Sequence, residues 1–350
     1  MRIRPVGPVP ARVMIVGDMP GKDDDIIGMP FLGSSGKELK RMLEQAGFDW
    51  KACFLTNVFL DMPEGNDVKN FCAKRGDVGK DYPYLPLSPG NYVRPERARL
   101  ELGRLADEVR ACRPDLIIAL GNVACWALIG RTGISKLRGS VFPCTLVEGV
   151  SVLPTHHPSS VMRDWSLRVI TVGDLLKAKR AITEGLTIPR RELWLDPSLD
   201  EVRDFCARFI LGDRPRLLSF DIETFAETIT CIGFAPTRDR AITIPFFDPR
   251  KPDRNYWATA EDELVAWKIC VEVLRSDIPK VGQNGLYDIQ YLHKYGVMVS
   301  AYQRDTMIRH HSLYPELEKG LGFLASVYTD EPPWKVLRDR NRDNFKIDDE

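Results

Sequence analysis

Four short apolar runs each break directly into a loop rich in Gly, Asn, Asp or His, and this recurrence limits the fold more than any other feature of the chain. VMIV (Val13 to Val16) opens into GDMPGKDDDIIGMPF. CFLTNVFL (Cys53 to Leu60) reads as a strand ending in a turn. DLIIALGNVACWALIG (Asp115 to Gly130) reads as a buried strand, a Gly-Asn turn and a helix start, and SVLPTHHPSSVMR (Ser151 to Arg163) as a strand running into a His-Pro turn. Segments with helical spacing lie between and after them: LKRMLEQAGF with Gly47 as its stop, RARLELGRLADEVRACRP, and roughly Ser166 to Glu184. Alternation of this kind predicts a doubly wound α/β domain with a mainly parallel sheet. In such sheets the loops at the strand C-terminal ends build the site. The long polar stretch from Asp61 to Arg94 reads as an irregular insertion.

The pattern changes after residue 186. TIPRRELWLDPSLD is the expected linker (187–200), and a second domain is expected over 201–350. There RLLSFDIET starts a new strand, and CIGFA and AITIPF read as neighbouring antiparallel strands. A helix is expected over Asp262 to Ser276, and VGQNGLYDIQYLHKYG reads as a strand turning into a helix. At 350 residues the chain has room for two domains. Lys+Arg and Asp+Glu both number 49, so the net charge is zero and gives no hint of nucleic acid. That balance is only weak evidence against it, because carboxylates that hold metals cancel a basic surface. No run of 18 apolar residues predicts a membrane span, and the N-terminus lacks an apolar signal-peptide core; a cytoplasmic location is expected. None of the eight Cys falls in a C-x-x-C pair, so zinc ribbons and redox motifs are unsupported and reduced thiols are expected.

The first loop is wrong for phosphate. Asp18, Asp23, Asp24 and Asp25 would repel it, and a phosphate loop uses a Lys. The four strand-end loops together offer carboxylates, an aromatic ring, an amide and imidazoles, a set that suits a flat heterocycle. Phe31 can stack on a base. Asn57 can read an imide edge with both a donor and an acceptor. An Asp can position a water, and a His can stabilise an anionic leaving base. GDMPGKDDDIIGMPFLGSSG, followed by T-N and then H-P, resembles the uracil-DNA glycosylase superfamily over about Arg12 to Arg180, and is most similar to its iron–sulfur branch. The resemblance implies catalytic roles for Asp18, Asp24 and His157, with Phe31 and Asn57 holding the base, flipped out where the DNA is double-stranded. It also implies four cluster cysteines. The positions that would carry them hold none here, so no iron–sulfur cluster is expected, and the Asp61 to Arg94 insertion is expected as a structural strap instead. Both acidic motif positions are Asp rather than Glu, one methylene shorter.

In FDIET, period-two geometry points Asp221 and Glu223 to one face of a strand. Two such carboxylates repel unless a cation lies between them, and oxygen ligands suit Mg²⁺ or Mn²⁺. Asp288, in GQNGLYDIQYL, supplies a third. This pairing resembles the proofreading 3′–5′ exonuclease domain of family A DNA polymerases, a ribonuclease H-like α/β fold. That resemblance implies metal binding by Asp221, Glu223 and Asp288. It also implies contacts to the DNA end from Gln283, Asn284 and Tyr287, and a supporting role for Asp305. His310 and His311 lack zinc spacing and are expected to be structural. The fourth carboxylate of that family follows Y-x-x-x-D or H-x-x-x-x-D. Neither spacing appears after Asp288, and Asp339, Asp343, Asp348 and Asp349 lie in a charged tail.

Three readings of the whole chain stay open on these residues. One is the front portion of a split phage-type DNA polymerase, with the polymerase domain and the missing carboxylate on a partner chain. Another is a self-sufficient repair enzyme that excises uracil and trims 3′ ends. The third is a non-catalytic DNA-binding accessory subunit. Each takes DNA as partner, single-stranded or with a frayed 3′ end.

Overall fold

The computed structural model describes residues 2–185 and 190–331. The tail aspartates Asp339, Asp343, Asp348 and Asp349 lie outside them. The chain forms two units: Met1–Thr187 together with Gly322 onward, and Ile188–Leu321.

The first unit is built on β1 (Val13–Gly17), β2 (Cys53–Asn57), β5 (Leu116–Leu120) and β7 (Ser151–Thr155), which run parallel in the order β2-β1-β5-β7. A short antiparallel strand, β6 (Phe142–Pro143), closes the β7 edge. The strands carry short apolar runs and are buried along almost their whole length, because both faces of the sheet are covered. Alternate residues of β1 point to opposite sides. Met14 and Val16 enter a core with α4 (Pro95–Cys112) and α5 (Gly121–Ile129). Val13 and Ile15 enter another with α2 (Ser34–Gln45) and α8 (Leu167–Thr183). Two shorter helices, α1 (Lys22–Ile27) and α7 (Pro158–Arg163), follow β1 and β7, and α6 (Ile134–Leu137) precedes β6. The 61–94 insertion carries a small β3 (Cys72–Ala73) and β4 (Tyr92–Val93) hairpin around α3 (Arg75–Val78). Phe71, Leu87 and Val93 join the core, and Trp126 Nε1 donates to Leu85 O at 2.8 Å.

The second unit has a six-stranded mixed sheet in the order β13-β12-β9-β10-β11-β8. Its strands are β8 (Glu192–Trp194), β9 (Leu218–Phe225), β10 (Thr228–Ala235), β11 (Arg240–Pro245), β12 (Lys280–Gly282) and β13 (Tyr302–Asp305). β10 is antiparallel to both neighbours, whereas β9, β12 and β13 run parallel. Counted from β9 this is the order 3-2-1-4-5 with the second strand reversed, the ribonuclease H-like arrangement. Helices α9 (Leu199–Phe205), α10 (Ala260–Arg275), α11 (Leu286–Lys294) and α12 (Thr306–Leu313) complete the unit.

Two boundaries differ from the sequence reading. The stretch expected as a linker, 187–200, contains β8, which pairs in parallel with β11, and the start of α9. The chain also does not stay in the second unit. α13 (Leu321–Tyr328) and the residues after it belong, from Gly322, to the first. Neither feature has a local sequence signal, because both are decided by contacts far away along the chain. No helix among the described residues is long and apolar enough to cross a membrane.

Candidate active sites

In the first unit, four loops leave the C-terminal edge of the parallel sheet side by side. In spatial order they present Asn57 at the end of β2, Asp18 after β1, Gly121 after β5 and His157 after β7. Asn57 is the register partner of Gly17, which directly precedes Asp18. Asn57 is 1% exposed, and among the described residues neither Oδ1 nor Nδ2 has a hydrogen-bond partner. A buried amide left in that state costs free energy, so it marks a place where a ligand edge belongs. Phe31 is also buried and has φ 62°. A Cβ added at Gly17 would lie 2.4 Å from Asn57 Oδ1 and 2.8 Å from Phe31 Cζ, so the three residues meet at one point. Trp50 packs edge-on to Phe31 at 6.3 Å. We expect Gly17→Ala to lower stability by about 1–3 kcal/mol through overpacking. The same change should displace both Phe31 and Asn57. Urea denaturation checks the first effect, and hydrogen exchange around Phe31 and Asn57 checks the second.

Asp18 keeps some surface exposed, but its Oδ1 is buried without a hydrogen-bond partner among the described residues. Burial raises its pKa above the usual carboxylate range, against the opposing pull of His157 and of the Ala124 and Val123 N–H groups in the first turn of α5. His157 is its neighbour. A Cβ at Gly121 would lie 3.1 Å from His157 Cβ and 3.3 Å from Asp18 Oδ1. The His157 ring caps α7: Nδ1 accepts from Ser159 N at 3.2 Å and lies 2.7 Å from Ser159 Oγ. Nδ1 is therefore the acceptor, which leaves the ring proton on Nε2. Burial lowers the imidazole pKa, with Asp18 opposing, so the ring is neutral near pH 7.

Asp24 stands apart from this group. Its Oδ1 accepts from Leu32 N at 2.7 Å and Gly33 N at 3.3 Å, and its Oδ2 accepts from Gly21 N at 3.2 Å. Both oxygens are occupied in holding the Gly21–Gly33 loop, which carries Phe31.

In the second unit, Asp221 and Glu223 lie on the exposed face of β9, opposite Gly233 and Cys231 of β10. Asp288 is 5% exposed on α11, and its Oδ1 accepts from Ile222 N at 2.9 Å. Burial raises its pKa, with Ile222 N opposing and the Asp305 and Glu223 charges adding to the rise. An all-oxygen donor set with mounting negative charge is the chemistry that a hard divalent cation relieves. Among the described residues, no three His, Cys, Asp or Glu side chains are gathered closely enough to be read as a metal-holding group. Asp305 ties the site together. Its Oδ1 accepts from Asn284, Met307 and Ile308 N–H groups, and its Oδ2 from Gly285 N and the Tyr302 hydroxyl. Asn284 is exposed with φ 58°. Gln283 is engaged within the unit: Nε2 donates to Lys319 O at 2.7 Å and Oε1 accepts from the Thr306 hydroxyl. Tyr287 is 44% exposed, shares a 2.8 Å hydrogen bond with Thr224 Oγ1 and packs on Tyr291 at 4.8 Å.

The uracil DNA glycosylase superfamily model matches residues 4–183, just over half of the 350 residues. The chain belongs to that superfamily. It is similar to the type-4 uracil-DNA glycosylase of Thermotoga maritima, with 28% identity over 180 residues, covering 50% of this chain and 80% of that protein. It is also similar to a DNA polymerase of Bacillus phage SP01, with 24% identity over 187 residues, covering 51% of this chain and 19% of the polymerase. The EXD2 exonuclease domain soaked in Mn and GMP overlaps 43% of this chain and 75% of its own, at 18% identity and TM-score 0.25.

For a uracil-DNA glycosylase superfamily site, the sequence reading passed over two groups of residues. Ser159 fixes the His157 tautomer. Arg104 on α4 donates through Nη2 to Asn57 O and Val58 O, both at 2.8 Å, and so anchors the end of β2. Ser159 follows H-P directly and could have been noticed. Arg104 looks like any other charge on an amphipathic helix.

Proposed function

We propose that the chain is a two-domain DNA-repair protein that excises uracil with its first unit and trims 3′ ends with its second. The observation that carries the first activity is the buried Asn57 amide, whose donor and acceptor both lack partners among the described residues. An imide edge supplies one of each. In the reaction, the C–N glycosidic bond breaks and its electron pair leaves on the uracil ring. His157, neutral and protonated on Nε2, donates a hydrogen bond to the developing oxyanion of the base. The Asp18 carboxylate stabilises the positive charge on the sugar and takes the proton of the water that bonds to the anomeric carbon. Asp24 holds the loop that positions Phe31.

In the second unit Asp221, Glu223 and Asp288 would hold Mg²⁺ or Mn²⁺, which supplies charge neutralisation for phosphodiester cleavage. Exposed Tyr287 and Asn284, at and just before the start of α11, would contact the 3′ nucleotide. A second reading, the front portion of a phage-type polymerase working with a polymerase partner, is favoured by the similarity to the phage SP01 enzyme. There the same two units would act on template and primer. A 5′-labelled single strand with one internal uracil tests the main reading. Cleavage at the uracil after alkali, in EDTA, reports the first unit, and shortening that needs Mg²⁺ reports the second. Absence of both products with the purified chain would overturn this reading.

The pH dependence follows from Asp18, half-buried beside His157. Excision in EDTA should fall on acidification with a midpoint above 3.8, because burial keeps the proton on Asp18. As the pH drops through that raised value, the carboxylate becomes neutral and its charge is lost to the reaction. The folded-state pKa lies above the unfolded one, so the same proton uptake favours the folded state. Activity therefore declines without unfolding through this group. A kcat–pH profile with its acid limb at or below 3.8 counts against Asp18 in this role.

A further inference from the structure

The last described segment belongs to the first unit and reaches toward its His loop. α13 sets the Ser326 hydroxyl 2.9 Å from Arg138 Nη1 and places Phe323 under the same guanidinium, 5.3 Å away. Arg138 in turn clasps Asp174 on α8: Nε donates to Oδ2 at 2.9 Å and Nη2 to Oδ1. Both partners are at most 2% exposed. Asp174 Oδ2 also accepts from the Thr155 hydroxyl at 2.7 Å. Thr155 is the last residue of β7, and His156 and His157 follow it. Gly139 seals the junction: its N–H donates to Pro154 O at 2.9 Å, and a Cβ there would come within 2.5 Å of Asp174 Oδ1 and 3.2 Å of Ser326 O. Lys177 Nζ donates to Thr329 O at 2.7 Å and to Ser326 O at 3.5 Å, closing the far side.

A buried ion pair holds its geometry only while all its donors and acceptors are satisfied. Here Arg138 has one end on Asp174 and the other on α13. We propose that Gly322–Glu331 is a positioning element for His157, acting through Ser326, Arg138, Asp174 and Thr155 to hold the end of β7. The inference rests on the uracil-excising reading of the first unit and adds to it a support that the chain supplies only after the whole second unit.

The test uses the full chain carrying Ser326→Trp, for which the packed junction has no room, and Ser326→Ala, which removes only the hydroxyl. Hydrogen exchange is followed at Thr155–Ser160, in β1 and β2, and in α13. Excision in EDTA is measured alongside, with Mg²⁺-dependent shortening as a check on the second unit. With Ser326→Trp, exchange at Thr155–Ser160 should quicken about tenfold while β1 and β2 stay protected. The kcat for excision should fall about tenfold with KM unchanged, because His157 acts on the leaving base. Release of α13 with Thr155–Ser160 still protected would overturn the proposal. If Ser326→Trp unfolds the whole unit, Ser326→Ala decides: about two- to fivefold faster exchange at Thr155–Ser160 supports the brace, and unchanged exchange overturns it. A wild-type chain that does not excise uracil would defeat the reading of the first unit, while the exchange measurement would still decide the brace.

Discussion

Replacing Asn57 with Leu should give a protein that is more stable and no longer removes uracil. Inside the folded chain the amide does nothing for stability. It is 1% exposed, and neither polar atom has a partner among the described residues. An unsatisfied buried polar group costs about 1–3 kcal/mol. A Leu of similar length removes that cost, and we expect a gain of about 1 kcal/mol in urea denaturation. The loss in function should be far larger. A site built to pair with a polar edge, once stripped of its donor and acceptor, rejects that edge strongly, and excision should fall about 10³-fold or more. The two measurements are read together. An Asn57→Leu protein that is less stable yet still excises uracil would show that the amide serves the fold and that the base is read elsewhere.

Asp221→Ala should separate the two activities. Asp221 projects from the exposed face of β9. Under the proposed metal-dependent reading, its loss would remove one ligand from a cation that would contribute several kcal/mol to charge neutralisation. At about 1.4 kcal/mol per factor of ten, Mg²⁺-dependent shortening of the labelled strand should fall about 10³-fold. Cleavage at the uracil in EDTA should be unchanged, because that reaction uses no residue of the second unit. If shortening persists at the wild-type rate, the metal is held by other groups and the role given to FDIET is wrong. If excision falls as well, the two units are not independent.

The sequence placed Asn57, Asp18 and His157 at strand ends because each of those strands carries a short buried apolar run. In a doubly wound sheet the residue after such a run must emerge at the carboxyl edge. The order of the strands then brought together residues up to 139 positions apart (Asp18 to His157). What stayed hidden was how each polar side chain is used. Asp24 and Asp18 look alike as letters in one loop. Three backbone N–H groups occupy Asp24, whereas Asp18 keeps a buried oxygen without a partner among the described residues. Gln283 beside the DIET partner motif reads as a DNA contact, yet its amide is bonded to Lys319 and Thr306. Composition and spacing fix residue type and strand position, but hydrogen-bond partners depend on loop paths that no local pattern encodes. The same limit concealed the return of α13 to the first unit. Its apolar residues fit a core equally well in either unit.

That return sets an order of events during synthesis. Residues 188–321 must all be made between the end of α8 and the arrival of Ser326. At about 5–20 residues per second this takes about 7–27 s. Throughout that interval the nascent first unit holds Arg138 and Asp174 without the helix that covers them. The ribosome therefore completes the His157 support only after it has delivered the nuclease-like unit, so a chain broken off early carries an unfinished glycosylase-like unit rather than a working half.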